Sequence, residues 1–180
     1  MEFYEIEDNN LIRRLVGWIV DIVVVIAFAW FTVYSFGTQL KIAGQSMTPL
    51  LNPDEVVLMN RLIYDFGSPE RFDVVVFQRE DDKANVKRVI GLPGEEIQIK
   101  GGYIYIDGEP LQAEDGLDFV SLAGLAENPI QLGEDEYFLL GDNRDSSEDS
   151  RFSNIGNVKK EQILGKVWIR MFPLISLEII

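Results

Sequence analysis

The amino-acid sequence predicts a mainly β protein in which one N-terminal membrane-spanning helix precedes a single β-rich domain. The chain has 180 residues, which is enough to bury about one hydrophobic core. Residues 15–36 form a long apolar run, and short runs of β-branched and aromatic residues recur between turn residues after it. Together these observations predict one anchor and one domain outside the bilayer.

The composition excludes several classes of function. Acidic residues outnumber basic ones 30 to 16 and the formal net charge is −14, which argues against a nucleic-acid partner bound through its phosphates. The chain has no histidine and no cysteine. It therefore cannot contain a Ser-His-Asp triad, a cysteine nucleophile, an imidazole or thiolate zinc site, or a disulfide. Any catalyst in this chain must use hydroxyls, carboxylates, lysine, arginine or tyrosine.

The apolar run at residues 15–36 predicts the membrane-spanning helix. It contains thirteen Leu, Ile, Val or Phe residues, and residues 22–40 carry no charge over 19 positions. Each of the thirteen apolar residues contributes roughly −0.3 to −0.6 kcal/mol to the free energy of membrane insertion. Together they outweigh the roughly +2.5 to +3.5 kcal/mol contributed by Asp21. A buried core helix is one alternative, but a domain of this size has little room to cover such a helix on all sides. A cleavable signal peptide with a site at Ala27-Phe28-Ala29 is another, but the run continues past that site to Phe36.

The charges that flank this run predict its orientation. Arg13 and Arg14 precede it and only Lys41 follows closely, so the positive-inside rule predicts that residues 1–14 are a cytoplasmic tail. Residues 37–180 then form an extracytoplasmic domain at the cell membrane. This part carries 25 acidic and 14 basic side chains, a charge of −11 that favours solubility.

Seven runs within residues 37–180 are typical of β-strands. They are Glu55–Asn60, Phe72–Gln78, Val86–Gly91, Glu96–Lys100, Tyr103–Asp107, Glu136–Leu140 and Ile163–Met171. Gly101 and Gly102 separate two alternating runs and predict a hairpin with a two-residue turn, because both glycines can take positive φ. Residues 108–133 show no sustained period and predict a long excursion from the sheet. The apolar residues 171–180 are too few to span a bilayer, which leaves a closing strand and a membrane-facing edge as alternatives.

Three segments contain residues that could carry catalysis without histidine, since lysine can replace it as the base for a serine nucleophile. Ser46 lies in a turn shortly after the anchor, although serine in a Gly/Pro turn more often serves the turn itself. Lys87 and Arg88 lie on opposite faces of a predicted strand, although an exposed lysine is the commoner case. The composition of residues 141–151 is typical of a solvated acidic loop. Their spacing does not fit a calcium loop, so we expect neither a metal nor another cofactor.

Four segments in this order behind an N-terminal anchor resemble the type I signal peptidases, membrane-bound serine proteases that remove signal peptides from exported proteins. They are residues 44–51 (GQSMTPLL), 71–77 (RFDVVVF), 87–94 (KRVIGLPG) and 141–151 (GDNRDSSEDSR). The resemblance runs from the anchor to about Pro173. It implies a largely antiparallel β-sheet protease domain with a smaller, variable excursion, to which we assign residues 108–133.

The resemblance also implies roles for single residues. Ser46 matches the nucleophile of the family and Lys87 its general base. Ser147 matches a hydroxyl that orients the lysine, and Asp149 and Arg151 match a supporting charged pair. The implied partners are the lipid bilayer and the signal peptides of exported precursors, which carry small side chains one and three residues before the cut.

The same resemblance suggests the walls of the substrate pocket. The candidate wall residues are Ile42, Met47, Leu51 and Val86. The chain departs from the family at two positions. Gly44 stands where some relatives carry a hydroxyl that helps to bind the oxyanion, so the backbone N–H of Ser46 must do more of that work. Asn85 stands where many relatives have an aromatic residue.

A lysine base requires a lowered pKa. Free lysine, with a pKa of about 10.4, is neutral in only about one molecule in 2,500 at pH 7. Burial beside apolar neighbours such as Val86 and Val89 would lower the pKa of Lys87. Two other functions stay open: an anchored β domain that captures extended peptides without cutting them, and a self-cleaving Ser-Lys protein of the repressor type. The predicted membrane span, in place of a DNA-binding region, disfavours the second.

Overall fold

A single long helix precedes two antiparallel β-sheets. The computed structural model describes residues 10–79, 82–113, 117, 119–173 and 177–180. Helix α1 spans Asn10–Phe36, and its stretch Leu11–Ser35 has a mean hydropathy of 2.3, long and apolar enough to cross a membrane. Apart from the buried Ser35, every residue of this stretch is exposed. The alternative of a core helix is therefore wrong, and α1 begins at Asn10, ahead of the predicted Leu15.

The strands of the described residues have the following bounds. They are β1 (Thr38–Lys41), β2 (Val56–Asn60), β3 (Val74–Gln78), β4 (Ala84–Gly91), β5 (Glu96–Lys100), β6 (Tyr103–Ile106), β7 (Glu109–Pro110), β8 (Ile130–Gln131), β9 (Glu136–Leu140), β10 (Val158–Lys159), β11 (Ile163–Phe172) and β12 (Glu178–Ile179). Each of the seven predicted runs coincides with one of these strands, with bounds that agree within two residues.

The larger sheet carries the strands on which the two candidate catalytic residues depend. Its order is β1-β2-β11-β3-β4-β9-β10, and β12 pairs with β11. All of these pairings are antiparallel. The long strand β11 pairs with β3 near its start and with β2 along the remainder. The prediction of a mainly β, largely antiparallel protein is confirmed.

The smaller sheet has the order β7-β6-β5-β8. Strands β5 and β6 form the predicted hairpin, in which Lys100 pairs with Tyr103 across a two-residue turn. Gly101 and Gly102 have φ angles of +61° and +86° in that turn, a conformation that L side chains adopt at a cost.

The larger sheet is covered on both faces, which explains why β3 reads as an unbroken apolar run. Residues 74–77 are all buried, and alternate positions belong to different clusters. Val74 and Val76 pack in a cluster with residues of the Ser46 turn and of β2. Val75 and Phe77 pack in another cluster with residues of β4 and β9. A continuous apolar run can therefore also occur in a strand of an antiparallel sheet.

Residues 108–133, within their described part, contribute to the smaller sheet and to the core. They supply β7, β8 and a short 3₁₀ helix, Gly124–Glu127. Val120, Ala126 and Leu132 are fully or almost fully buried in a third cluster, which also contains Ile90 of β4 and Phe138 of β9. This segment leaves the larger sheet but packs against it through a shared core.

Helix α1 is joined to the edge of the larger sheet with little intervening chain. Strand β1 begins at Thr38, directly after the Gly37 that follows the last helical residue. The backbone N–H of Arg61 donates to the carbonyl of Ser35 at 3.0 Å. The Arg61 guanidinium lies over the ring of Tyr34, 5.3 Å from its centre. Because β1 leads into the Ser46 turn, that turn lies close along the chain to the end of α1.

Candidate active site

Ser46 lies in a tight turn that follows β1 and is held down by its apolar neighbours. The N–H of Thr48 donates to the carbonyl of Gln45 at 3.1 Å, and the N–H of Leu51 donates to the carbonyl of Met47 at 2.8 Å. Met47 and Leu51 are 1% and 0% exposed, so two side chains that follow Ser46 fix the turn to the core.

Lys87 reaches this turn from the middle of β4. It pairs with Val75 of β3, so the two side chains share one face of the sheet, the face that Val89 also occupies. Lys87 is only 2% exposed. Its Nζ donates to the Oγ of Ser46 at 2.8 Å. The fold therefore brings these two residues, 41 positions apart in the chain, into direct contact.

The surroundings of Lys87 favour its neutral form. Burial lowers the pKa of Lys87 from 10.5 to about 8, because the ammonium loses its hydration. The carboxylate of Asp149 opposes this change by favouring the charged form, while the guanidinium of Arg79 favours the neutral form. Desolvation outweighs the nearby carboxylates. At neutral pH an amine with such a pKa is neutral in roughly one molecule in ten.

Ser147 is close to this pair, but its hydroxyl does not bond to the lysine. The residue is 6% exposed, and its Oγ has no hydrogen-bond partner within the described part of the chain. The expected hydrogen bond from Ser147 to Lys87 is therefore not formed in this structure. Gly141 is the reason the two serines lie so near each other. A Cβ at Gly141 would lie 2.5 Å from both the Cβ of Ser147 and the carbonyl oxygen of Ser46.

Asp149 and Arg151 form a fully buried ion pair. Both side chains have 0% exposure, and the Arg151 Nε donates to Asp149 Oδ1 at 2.8 Å while Nη2 donates to Oδ2 at 2.9 Å. The N–H of Gly141 donates to Asp149 Oδ2 at 3.1 Å. Two arms of the guanidinium and a backbone amide thus satisfy this carboxylate. The pair ties the two ends of the active-site loop, residues 141–151, to each other.

Two further contacts hold the active-site loop in place, one to the Ser46 turn and one to β4, and sequence reasoning missed both. The N–H of Asn143 donates to the carbonyl of Ser46 at 3.0 Å. Arg88 donates through Nε and Nη2 to the two oxygens of Asp142, at 2.8 and 2.6 Å. Arg88 follows Lys87 on β4, so neighbouring residues of one strand contact Ser46 and the active-site loop beside it. Acidic residues after a strand and an Arg beside a Lys were visible in the sequence, but their pairing was not.

A small cavity of about 110 Å³ adjoins Ser46. Its lining includes Ile42, Met47 and Val86, three of the four predicted wall residues, together with Gly44 and Asn85. Leu51 does not line it. That side chain is fully buried in the cluster that also contains the other three, so it supports the walls from the core.

The cavity lies between two stretches of extended chain. One is the chain that leaves β1 toward Ser46, and the other is the start of β4, residues 84–86. Strand β9 pairs with β4 only from Arg88 onward, so residues 84–86 pair with β3 on one side alone. An edge of this kind can accept an additional strand. Among the described residues, no group of three or more carboxylates is placed to hold a metal ion.

Comparison with known proteins gives consistent relatives. The family model "Signal peptidase, peptidase S26" matches residues 15–172. Signal peptidase IB of Staphylococcus aureus is 34% identical over 179 residues, covering 89% of this chain and 91% of that protein. A probable signal peptidase I-2 of Synechocystis is 32% identical over 141 residues, which cover 74% of this chain but only 62% of the Synechocystis protein.

A solved structure is also similar. The crystal structure of a signal peptidase I from Enterococcus faecalis has 32% sequence identity and a TM-score of 0.45, with 55% of this chain and 96% of that chain covered. The family match extends from the anchor through β11 and so includes both Ser46 and Lys87. The chain belongs to the signal peptidase family, peptidase S26.

Proposed function

We propose that this protein is a membrane-anchored serine endopeptidase that removes signal peptides from exported precursors, with Ser46 as nucleophile and Lys87 as general base. The observation that carries the proposal is the 2.8 Å contact between Lys87 Nζ and Ser46 Oγ in a buried setting. Because the chain has no histidine or cysteine, a hydroxyl and an amine are the groups left for this chemistry. Family membership supports the same reaction class.

The reaction proceeds in two steps. Neutral Lys87 accepts the proton of Ser46 as Oγ attacks the carbonyl carbon of the scissile peptide bond. The ammonium of Lys87 then gives this proton to the leaving amine, which departs as the new N-terminus of the mature protein and leaves an acyl-enzyme. In the second step Lys87 accepts a proton from water, whose oxygen attacks the ester carbonyl. The signal peptide leaves with a carboxylate, and Ser46 regains its proton.

The active-site loop holds this pair in place. The Asp149 and Arg151 pair fixes the loop geometry, and the backbone of Asn143 fixes the carbonyl of Ser46. Ser147 lies beside Gly141, and its hydroxyl, which has no partner among the described residues, is the group that we expect to orient the amine during the reaction. The oxyanion of each tetrahedral intermediate is stabilised by the backbone N–H of Ser46, since Gly44 offers no hydroxyl.

The cavity beside Ser46 sets the substrate preference. A volume of about 110 Å³ favours small side chains over large aromatic ones. A signal peptide in extended conformation adds to the unpaired edge at residues 84–86, where backbone hydrogen bonds supply affinity. The walls at Ile42 and Val86 then choose small residues before the cut.

The helix α1 anchors the enzyme in the cell membrane, with residues 1–14 in the cytoplasm and residues 37–180 outside. The exposed apolar side chains of Leu11–Ser35 require a lipid environment, and Arg13 and Arg14 favour the cytoplasmic side for the N-terminus. In this orientation the active site faces the compartment into which precursors are exported.

Cleavage of a purified precursor by the full chain in detergent tests the proposal. Ser46→Ala and Lys87→Ala should each bind the precursor with little change but lose cleavage by at least about 10³-fold. The cleavage rate of the unmodified protein should rise with pH through an apparent pKa of about 8, since the base acts when neutral. Lys100→Ala, which changes an exposed lysine of the smaller sheet, is the control and should retain full activity.

Three results would contradict the proposal. Full cleavage by Lys87→Ala would exclude this lysine as the base. A cleavage rate that rises only near the pKa of free lysine would exclude a desolvated amine. Binding without cleavage by the unmodified protein would favour a peptide-capture module.

A further inference from the structure

The segment that joins β7 to β8 of the smaller sheet is hydrogen-bonded to the active-site loop through Leu117, Ser121, Leu122 and Leu125. The backbone of this segment both accepts from guanidinium groups of the loop and donates to a carbonyl at the end of the loop. The contacts are Arg144 Nη2 to the carbonyl of Leu117 at 2.6 Å, Arg151 Nη1 to the carbonyl of Leu122 at 2.9 Å, the N–H of Leu125 to the carbonyl of Arg151 at 2.8 Å, and the hydroxyl of Ser121 to the carboxylate of Asp145.

Gly124 makes this close approach possible. It has a φ angle of +58° and lies directly against the backbone of Arg151. A Cβ at this position would lie 2.9 Å from the Cβ of Arg151 and closer still to its carbonyl oxygen. Gly101, in the hairpin turn of the same sheet, has nearly the same φ of +61° but no atom within 4 Å of its ideal Cβ position. The two glycines therefore share a conformation and differ in their surroundings.

From Arg151 a short series of contacts leads to the reactive pair. The guanidinium of Arg151 holds the carboxylate of Asp149, which accepts from the N–H of Gly141. Gly141 in turn packs between the side chain of Ser147 and the carbonyl of Ser46. Every residue of this series is buried to at least nine-tenths except Ser46 itself. A displacement of Arg151 must therefore shift the residues packed against it.

We propose that Gly124 is a positioning residue for the proposed cleavage reaction, through which the smaller sheet holds the active-site loop closed over Ser46 and Lys87. The role rests on the proposed function of the pair. It gives residues 117–125 a task that their irregular sequence does not suggest. They act on the loop that covers the catalytic amine and make no contact with the substrate cavity, whose lining they do not share.

The state of Lys87 reports whether the loop is closed. Four charged side chains act on its amine: Asp149, Glu148 and Asp142 raise its pKa and Arg79 lowers it. Desolvation lowers the pKa of Lys87 more than any of these charges changes it. Opening the active-site loop would admit water, so the pKa should rise toward that of free lysine. Each unit of such a rise lowers the neutral fraction of the amine at pH 7 about tenfold.

The test compares Gly124→Ala with Gly101→Ala in the full chain in detergent micelles. Both variants place a Cβ at positive φ and so have similar backbone strain, but only Gly124→Ala forces Arg151 to move. We expect Gly124→Ala to shift the pH dependence of kcat by at least about one unit to alkaline pH. Cleavage of a signal-peptide substrate would then fall about tenfold at pH 7 and recover near pH 10, with little change in KM. Gly101→Ala should keep the profile of the unmodified protein.

Ser121→Ala provides a second variant in case Gly124→Ala does not fold. It removes only the bond from this exposed hydroxyl to Asp145, and it should shift the profile in the same direction by a smaller amount. A folded Gly124→Ala protein whose pH profile matches that of Gly101→Ala would overturn the positioning role, as would an unchanged profile in Ser121→Ala when Gly124→Ala does not fold. An inactive unmodified protein, in contrast, would count against the proposed function.

Discussion

Lys87 is buried on β4 although an ordinary lysine is charged at neutral pH. Its surroundings remove water without supplying a carboxylate in direct contact, because Asp149 is bound by Arg151 and by the N–H of Gly141. Burial destabilises the protonated form of an amine in this setting, because the ammonium loses its hydration. The protein therefore loses stability at the residue on which the proposed catalysis depends.

Lys87→Met should make this cost measurable. The folded pKa of about 8 lies below the unfolded value of 10.5, so between these values the unfolded chain binds a proton that the folded chain has lost, and stability rises with pH. Below about pH 8 the cost is present in full, roughly 3 kcal/mol. Allowing about 1 kcal/mol for the lost hydrogen bond to Ser46, the variant should be roughly 2 kcal/mol more stable at pH 7. The gain should fall away by about pH 10.5.

Unfolding by urea in detergent, followed at several pH values, checks this expectation. Lys100→Met changes an exposed lysine and should leave stability nearly unchanged at every pH. A Lys87→Met protein that is equally stabilised at pH 7 and pH 11, or less stable at both, would show that the amine is not desolvated.

At the scale of elements, the active-site loop is fastened by a buried ion pair. Arg151 and Asp149 have no exposed side-chain surface, whereas Lys41 and Asp54 form a pair of the same 2.8 Å length with side chains 66% and 82% exposed. Equal distances do not imply equal contributions. When one partner of the exposed pair is removed, water solvates the charge that remains. When one partner of the buried pair is removed, the remaining charge stays buried without compensation.

Arg151→Met should lower the free energy of unfolding by about 3–5 kcal/mol, because Asp149 would stay buried without its partner. Lys41→Met should change it by less than about 1 kcal/mol. Thermal or urea unfolding of the purified variants gives both values. The double variant Asp149→Leu, Arg151→Met should lose less than the sum of the two single changes. Additive losses would mean that the two side chains act independently.

The elements also show what could be predicted from the sequence. The runs around β2, β3, β4, β5, β6, β9 and β11 were predicted because each holds enough β-branched or aromatic residues to show a pattern. Strands β7, β8, β10 and β12 have two residues each, and β1 has four mixed polar and apolar residues, so none carries a readable period. These short strands are set by the chains they pair with.

The candidate site also contains residues that the sequence could reveal and contacts that only the fold creates. Ser46, Lys87 and the pair Asp149–Arg151 were named from residue type and from the family resemblance, and each lies where the loop, β4 and the Ser46 turn meet. Contacts such as the Arg88–Asp142 ion pair and the packing of Gly141 depend on which strands become neighbours. A glycine gives no signal of what lies against it. Leu51, expected at the pocket wall, is instead fully buried in the core.

At the scale of the whole molecule, helix α1 and the domain of two sheets are largely separate. The described contacts of α1 with the domain are confined to its last turns, where Tyr34 and Ser35 meet Arg61, so the fold of the two sheets does not depend on the rest of the helix. Apolar side chains such as Trp18 and Phe28 are about 70% exposed in the absence of lipid. Under the proposed function these side chains lie in the bilayer, where confinement would bring the enzyme and its precursor together.

A chain that lacks residues 1–33 but keeps Tyr34 and Ser35 should separate these roles. With a short soluble peptide in detergent, its kcat/KM should lie within about threefold of the full chain, because the contact between Ser46 and Lys87 is made entirely within the domain. With a precursor in lipid vesicles it should be slower by about 10²-fold or more, since the effective concentration gained by anchoring is lost. Replacing residues 10–33 with an unrelated membrane-spanning helix should restore the rate in vesicles. If restoration fails while the peptide is still cut normally, the sequence of α1 must do more than anchor, for instance by contacting the precursor within the bilayer.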